Sequence, residues 1–428
     1  MTDFKPKNVL ERIKPSEKEE QRIDGAITRM KELLSNKAKE EKYDVEVVAG
    51  GSTAKGTFLK GDFDIDMFVR FKNASEDISE DLEFLLLSIA EEENFVPERI
   101  HGSRDYFNLI YLDCFFEIVP VKHIQGIDEA ENVTDMSPLH VFWASKNITP
   151  KLKDDIRLAK QFCKACDVYG AESYINGFSG HVLDILIVHY GGFIELLRAA
   201  SRWQEKEIID PQGFHKDPLK ALNRAKQVSP LIVIDPVDPY RNAAAALSQE
   251  KYLAFRKQAQ QFLKHPSESF FIIPQFDKDK LKKQRKEGED LFIITVTPQV
   301  GKKDIIGTKV LKVYEFLKRH LRLHDFKVRH SSWWFDKKES HLVFFTDNAR
   351  LADTVLRQGP PCSKKQAANR FKEVHDEVIE KDGRLYAEVQ RQFLSPKDCM
   401  MHLLEQPYVN DRIQDYSIEV FGEENKSR

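Results

Sequence analysis

The stretch GGSTAKGTFLKGDFDIDMFVRF, Gly50 to Phe71, constrains this chain more than any other. VEVVAGG reads as a strand running into a glycine turn, and DFDIDMFVRF as a second strand of high β-propensity. At Gly50-Gly51-Ser52 the missing side chains let backbone N–H groups approach an anion, and Ser52 and Thr53 add hydroxyl donors. Asp64 and Asp66 stand two apart, and strand side chains alternate faces, so both carboxylates point the same way. Such a pair repels unless it shares a cation, which suits a hard, oxygen-preferring divalent ion such as Mg²⁺. The later segment YLDCFFEIVPV offers a third carboxylate at Asp113 or Glu117, of equal parity; Glu117, just before Ile118-Val119-Pro120, is the choice. GS and DxD are each common in turns and strand ends. Their joint spacing is specific, and a two-metal site for phosphoryl or nucleotidyl transfer is the chemistry it implies.

The rest of the chain divides by period. Ser16 is placed to cap a helix through Ile23, Ile27, Met30, Leu33 and Leu34, with Glu19 as its reciprocal partner, ending before Lys42-Tyr43. SEDLEFLLLSIAEEE reads as an amphipathic helix, and Tyr106 to Val121 as one or two strands stopped near Pro120. From Thr149 the pattern is helical, through KLKDDIRLAKQFCKA, GHVLDILIVHYGGFIELLRAASRW and AAAALSQEKYLAFRKQAQQFLKH. From about residue 266 it is mixed: LFIITVTP as a strand, TKVLKVYEFLKRHLRLH as a helix, KVRHSSWWF and SHLVFFTD as a hairpin, then KKQAANRFKEVHDEVIEK and PKDCMMHLLEQ as helices. With 428 residues and 41% hydrophobic content, the chain can bury several cores. The reading is α+β and multidomain: a mixed-sheet head over residues 1–148, an all-helical central domain over 149–262 and an α+β C-terminal region over 263–428.

The head motif fits a nucleotidyltransferase of the polymerase-β type. Together with TDMSPLHVFW (Thr134 to Trp143), the segment Asp154 to Phe193, IDPVDPYRNAAAALS (Ile234 to Ser248) and GPPCSKKQAANRF near Gly359, it resembles the class I, archaeal-type CCA-adding enzymes. No EDxxR motif of the class II enzymes occurs. The resemblance implies addition of C, C and A to the 3′ end of tRNA from CTP and ATP, without a nucleic-acid template. It implies that Asp64, Asp66 and Glu117 hold two Mg²⁺ ions, that Gly51, Ser52 and Lys55 meet nucleotide phosphate, that His140, Lys160 and Tyr169 complete the triphosphate and sugar pocket, and that Arg241 lies near the incoming base. The family commonly has Asp at Glu117 and Arg at Lys55. Glu still ligates, whereas Lys keeps the charge and loses the bidentate fork. An oligoadenylate synthetase-like or poly(A)-polymerase-like transferase, or an RNA-binding protein on a decayed head, is the competing reading.

Charge bears on the partner. Lys and Arg total 66 against 69 Asp and Glu, a net charge of −3 that by itself argues against nucleic acid. Residues 251–340, however, hold 21 Lys and Arg against 11 Asp and Glu, a net +10 that leaves −13 for the remainder. That split suits a C-terminal half that reads duplex RNA by phosphates and 2′-hydroxyls. In the same hairpin region Trp333 and Trp334 alternate, so one is expected in the core and the other is a candidate for packing on RNA. Cys163 and Cys166 form a CxxC with no second pair nearby, and helix packing explains it better than zinc. The scattered five cysteines, the absence of a long apolar run and an N-terminus without a signal-peptide core point to a cytoplasmic protein with no membrane partner; a homodimer is left open.

Overall fold

A computed structural model describes residues 5–73 and 77–422. The chain divides into two compact units, Met1–Pro274 and Gln275–Arg428.

The first unit opens with helices α1 (Pro6–Ile13) and α2 (Glu17–Glu40). Ser16 accepts from the Glu19 amide, as the capping pattern predicts. The Glu19 carboxylate does not close the box: it accepts from the Gly61 amide at 3.0 Å, tying α2 to the loop that leads into the DxD strand. Next come β1 (Val45–Ala49), α3 (Gly51–Lys55), β2 (Ile65–Phe71), α4 (Ile78–Glu93), β3 (Glu98–Ile100), β4 (Tyr106–Tyr111) and β5 (Cys114–Lys122). Their sheet runs β1-β2-β5-β4-β3. Ile65, Met67, Val69 and Phe71 of β2 and Cys114, Phe116 and Ile118 of β5 point to one face, where they bury with α2 and α4. The alternate positions, Asp66 and Glu117 among them, therefore point to the other.

The structure decides one point that the sequence leaves open and shifts another. Tyr106 to Val121 is two strands, joined at Leu112-Asp113, both with positive φ (50° and 55°), the two-residue hairpin geometry that matches strand twist. Pro120 does not end β5, which continues to Lys122. The β4–β5 pairing finishes at Phe107 and Ile118, so Pro120 lies past the last partner on that side.

Helices α5 (Ser137–Asn147), α6 (Pro150–Ala165), α7 (Gly180–Tyr190) and α8 (Phe193–Ala200) follow. The long apolar run after Gly180 breaks into two helices at Gly191 and Gly192, with φ of 81° and 152° that glycine alone adopts freely. The helical region also holds a short parallel ribbon of β6 (Glu207–Ile209) and β7 (Leu231–Val233), with the single turn α9 (Pro218–Ala221) between them. Helix α10 (Gln249–Lys264) starts at the Ser248 cap, so the preceding alanines stay outside it. The core of this region centres on Phe162 of α6, whose ring meets Phe193, Phe255, Phe262, Phe270 and Phe271 with centroids 5.6–6.2 Å apart. Cys163 is buried in the same core, so the CxxC contributes packing.

The second unit contains α11 (Lys278–Gln284), β8 (Glu289–Pro298), α12 (Lys303–Leu323), β9 (Val328–Trp334), β10 (Ser340–Asp347), β11 (Thr354–Pro361), α13 (Lys365–Val374), β12 (Val378–Lys381), β13 (Arg384–Gln390), α14 (Pro396–Leu404), α15 (Pro407–Asn410) and β14 (Ile413–Phe421). One sheet is ordered β14-β8-β10-β9 and the other β11-β13-β12. The β9–β10 hairpin forms as expected. KEVHDEVIEK does not stay helical: α13 stops at Val374 and Val378–Lys381 pairs with β13. The β-branched Val378 and Ile379 favour that strand, and β13 offers an edge to pair with. Both tryptophans are half-buried, Trp333 against the core beneath α12 and Trp334 against Phe276, whose ring lies 5.5 Å away. Among the described residues no helix is long and apolar enough to cross a membrane.

Candidate active site

Strand register assembles the acidic centre. In the parallel β2–β5 pair Asp66 stands opposite Glu117, and neighbouring strands lie about 4.8 Å apart. Asp64 immediately precedes β2. Burial and then the Asp64 charge push the Asp66 carboxyl up to about 6. Burial, followed by the charges of Asp66 and Asp64, pushes Glu117 up to about 7. Carboxylates that raise one another's pKa in this way are short of positive charge. An all-oxygen donor set of this kind fits a hard divalent cation. Asp113, the other candidate, sits exposed in the β4–β5 turn.

The glycine turn serves this centre directly. The Gly50 amide donates to the Asp66 carbonyl at 2.8 Å. Gly51 has φ of +57°, and a Cβ there would lie 1.6 Å from Asp66 Oδ2. Gly51 is thus the space into which the Asp66 carboxylate fits. Ser52 is half-buried at the start of α3, whereas the Thr53 hydroxyl, which the sequence offered as a second donor, is buried and turned back onto the Gly50 carbonyl.

Two lysines flank the turn. Lys55 Nζ donates to Asp184 Oδ2 of α7 at 2.8 Å. Lys160, only 4% exposed, donates from Nζ to the Thr57 carbonyl at 3.0 Å and to its hydroxyl at 3.2 Å. Burial pushes the Lys160 ammonium down to about 8, against the opposing pull of Asp184. Tyr169 belongs to the same cluster: a Cβ at Gly180 would lie 3.2 Å from its hydroxyl and 3.9 Å from Lys160 Nζ. Burial raises the Tyr169 phenol well above its ordinary value, so it stays neutral. Arg157, one turn before Lys160 on α6, donates to the Gly56 carbonyl at 2.7 Å and the Phe58 carbonyl at 3.1 Å. Helix α6 therefore grips the loop between the glycine turn and the DxD strand.

His140 and Arg241 meet at Asp235. His140 Nε2 lies 3.0 Å from Asp235 Oδ1, His181 Nε2 3.1 Å from Oδ2, and Arg241 donates to Oδ2 at 2.6 Å. The amides of Val237 and Asp238 add two donors to Oδ1. Burial alone would raise the Asp235 carboxyl, but the hydrogen bonds from His140 and His181 hold it far below the usual carboxylate range. Burial depresses His181 despite its contact with Asp235. Two imidazoles and a carboxylate within 4.8 Å of one another resemble a metal triad, but the Arg241 guanidinium already supplies the positive charge on Asp235.

The sequence-selected residues thus fall into two groups. Asp64, Asp66, Glu117, Gly51, Ser52, Lys55, Lys160 and Tyr169 surround the glycine turn, and His140 and Arg241 hang on Asp235. Asp184, Arg157, His181 and Asp235 were not singled out. Asp184 had a readable signal, a lone carboxylate inside the apolar run HVLDILIV. Asp235 lies 95 positions from His140, a separation that no local pattern spans.

Residues 30–107 match the family described as nucleotidyltransferase domain, residues 154–272 the second domain of tRNA nucleotidyltransferase, and residues 288–413 the C-terminal domain of CCA-adding enzyme. A CCA-adding enzyme of Nanoarchaeum equitans is 35% identical over 357 residues, covering 82% of this chain and 85% of that one. Another, of Methanocaldococcus jannaschii, is 30% identical over 426 residues, 96% of this chain and 92% of its own length. The chain belongs to the CCA-adding enzyme family. A solved structure of the Cid1 poly(U) polymerase, with Mg and 3′-dATP bound, shares 14% identity and a TM-score of 0.50 over 63% of this chain and 98% of that one. At that identity the likeness bears on the fold alone. Enzymes of the nucleotidyltransferase family use divalent metal, and in this CCA-adding family member Asp64, Asp66 and Glu117 are the oxygen donors that fit it.

Proposed function

We propose that this protein is a CCA-adding tRNA nucleotidyltransferase, transferring CMP, CMP and AMP from CTP and ATP to the 3′-hydroxyl of tRNA. Full-length similarity to enzymes of that name, across all three matched regions, carries the reading. In each transfer a P–O bond forms between the 3′ oxygen and the α-phosphorus, and the α–β bond breaks to release pyrophosphate. Mg²⁺ held by Asp64, Asp66 and Glu117 would lower the pKa of the attacking hydroxyl and neutralise triphosphate oxygens. The chain's own groups do the positioning. Lys55 spends one of its three N–H donors on Asp184 and keeps two for phosphate. Lys160, the neutral Tyr169 hydroxyl and the Ser52 hydroxyl close the triphosphate pocket, while Asp235 presents His140 and Arg241 to sugar and base. Residues 1–148 act as the catalytic head, 149–262 complete the nucleotide pocket, and the basic part of 263–428 holds tRNA. Five free cysteines suit a reducing compartment, and we place the reaction in the cytoplasm.

The deciding experiment uses tRNA truncated before CCA, with Mg²⁺ and CTP, ATP or both. CTP alone is expected to add two residues, ATP alone none, and the mixture CCA, with no incorporation by Asp66→Ala. Addition of A only, or without limit, overturns the assignment in favour of a poly(A)-type transferase. Unchanged incorporation by Asp66→Ala overturns the metal-site assignment.

A further inference from the structure

Asp184 is buried to 1% exposure at the fifth position of α7, among Val182, Leu183, Ile185, Leu186 and Ile187, all buried. A carboxylate in such surroundings is costly unless it is paired. Its Oδ2 takes Lys55 at 2.8 Å, and its Oδ1 is buried with no hydrogen-bond partner. One helical turn earlier stands Gly180, over which the Tyr169 hydroxyl and the Lys160 ammonium converge. The Asp184 charge acts on both of those groups. A helix that needed only to pack would carry an aliphatic residue here.

We propose that Asp184 is the positioning residue of the triphosphate pocket: it fixes the direction of the Lys55 ammonium and supplies the counter-charge that lets Lys55 and Lys160 stand close together before nucleotide binds. The inference rests on the proposed CCA-adding reading and deepens it. Lysine has no fork to define its approach to phosphate, so a free Lys55 would sample many rotamers. A buried anchor removes that freedom and leaves two N–H donors outward. Together with the Asp66 carboxylate, on which both lysine charges act, it also offsets the repulsion between the two ammonium groups, which would disfavour the empty site. Asp184 acts through the lysines and does not itself touch phosphate.

The test uses the full chain, tRNA truncated before CCA, and steady-state kinetics with CTP and ATP. Asp184→Asn is expected to raise the KM of both nucleotides at least about tenfold, as loss of a charge-assisted hydrogen bond does, with a smaller change in kcat and unchanged affinity for tRNA. Asp184→Glu, which keeps the charge, restores most of the loss. Lys55→Met alone raises KM to the same extent, and the double variant Lys55→Met/Asp184→Asn is no worse than Lys55→Met. Should Asp184→Asn fail to fold in a thermal melt, Lys55→Met and Asp184→Glu still decide the matter: an unchanged KM in Lys55→Met overturns the proposal. So do additive losses in the double variant, or equal losses of nucleotide use and tRNA binding. Wild-type protein that adds no CCA would overturn the functional reading instead, so the two failures are distinguishable.

Discussion

Gly51 carries a steric requirement that reaches the chemistry. Its φ of +57° costs an L-residue about 1–2 kcal/mol, and any Cβ would meet the Asp66 carboxylate at 1.6 Å. Gly51→Ala therefore moves Asp66 off its position, and kcat is expected to fall by more than about a hundredfold, as ångström-scale misplacement of a reacting group does. A folded Gly51→Ala protein with near wild-type kcat would sink this account. Lys160 gives a second prediction. Burial pushes its ammonium down to about 8, so on the proposed reading it is charged below that pH and can hold triphosphate, and above it that hold is lost. The kcat/KM for CTP should decline above about pH 8, the limb that reports the free enzyme, and Lys160→Met should flatten the decline. Lys160→Ala should weaken nucleotide use more than tRNA binding, as separate binding assays would show. The acidic residues were legible because Asp64 and Asp66 stand two apart at the start of an alternating apolar strand, although the strand itself begins only at Ile65. Asp184 showed only as a lone carboxylate in an apolar run, with nothing to name Lys55 as its partner, and Asp235 showed not at all, since an anchor is defined by the group it holds and that group is remote in sequence.

Elements succeed or fail in the sequence according to whether their pattern is local. Strand β2 was readable because its alternation is complete: Ile65, Met67, Val69 and Phe71 face the core and Asp66 the site. Its parallel pairing with β5 was not, because nothing in either strand states the register that sets Asp66 against Glu117. The residues after α13 misled because a helical pattern overlapped Val378–Ile379, whose fate depends on β13 as a partner. Helix α6 shows how one element serves two ends. One side presents Arg157 and Lys160 to the loop at 56–58, and Phe162 roots the helix among five other phenylalanines. Phe162→Ala should cost about 3–5 kcal/mol, the range for a large aromatic removed from a packed core. Denaturant unfolding would measure it; a loss under 1 kcal/mol would show that the cluster closes over the gap and does not hold α6 in place.

At the scale of the whole chain, net charge misleads until it is divided. Gln275–Arg428 carries 30 Lys and Arg against 25 Asp and Glu, a net +5, and Met1–Pro274 is left with −8. The excess within Gln275–Arg428 is concentrated before residue 340, on and around α11 and α12. On the proposed reading, an acidic unit that holds metal and a basic unit that meets RNA backbone sum to near neutrality. Affinity for tRNA should accordingly follow counterion release: log K falls linearly with log salt, with a slope of about −0.7 to −0.9 per phosphate neutralised. For a footprint of about six phosphates that is roughly a thousandfold loss between 50 and 200 mM salt. Lys312 and Arg319 lie two turns apart, both exposed on α12. Replacing both with Gln should make the slope shallower by about 1.5, while leaving the KM for CTP unchanged because neither belongs to the nucleotide pocket. A flat salt dependence of wild-type binding, measured by titrating labelled tRNA, would remove the basic segment from the RNA interface. A slope unaltered in the double variant would move the contact off this face of α12.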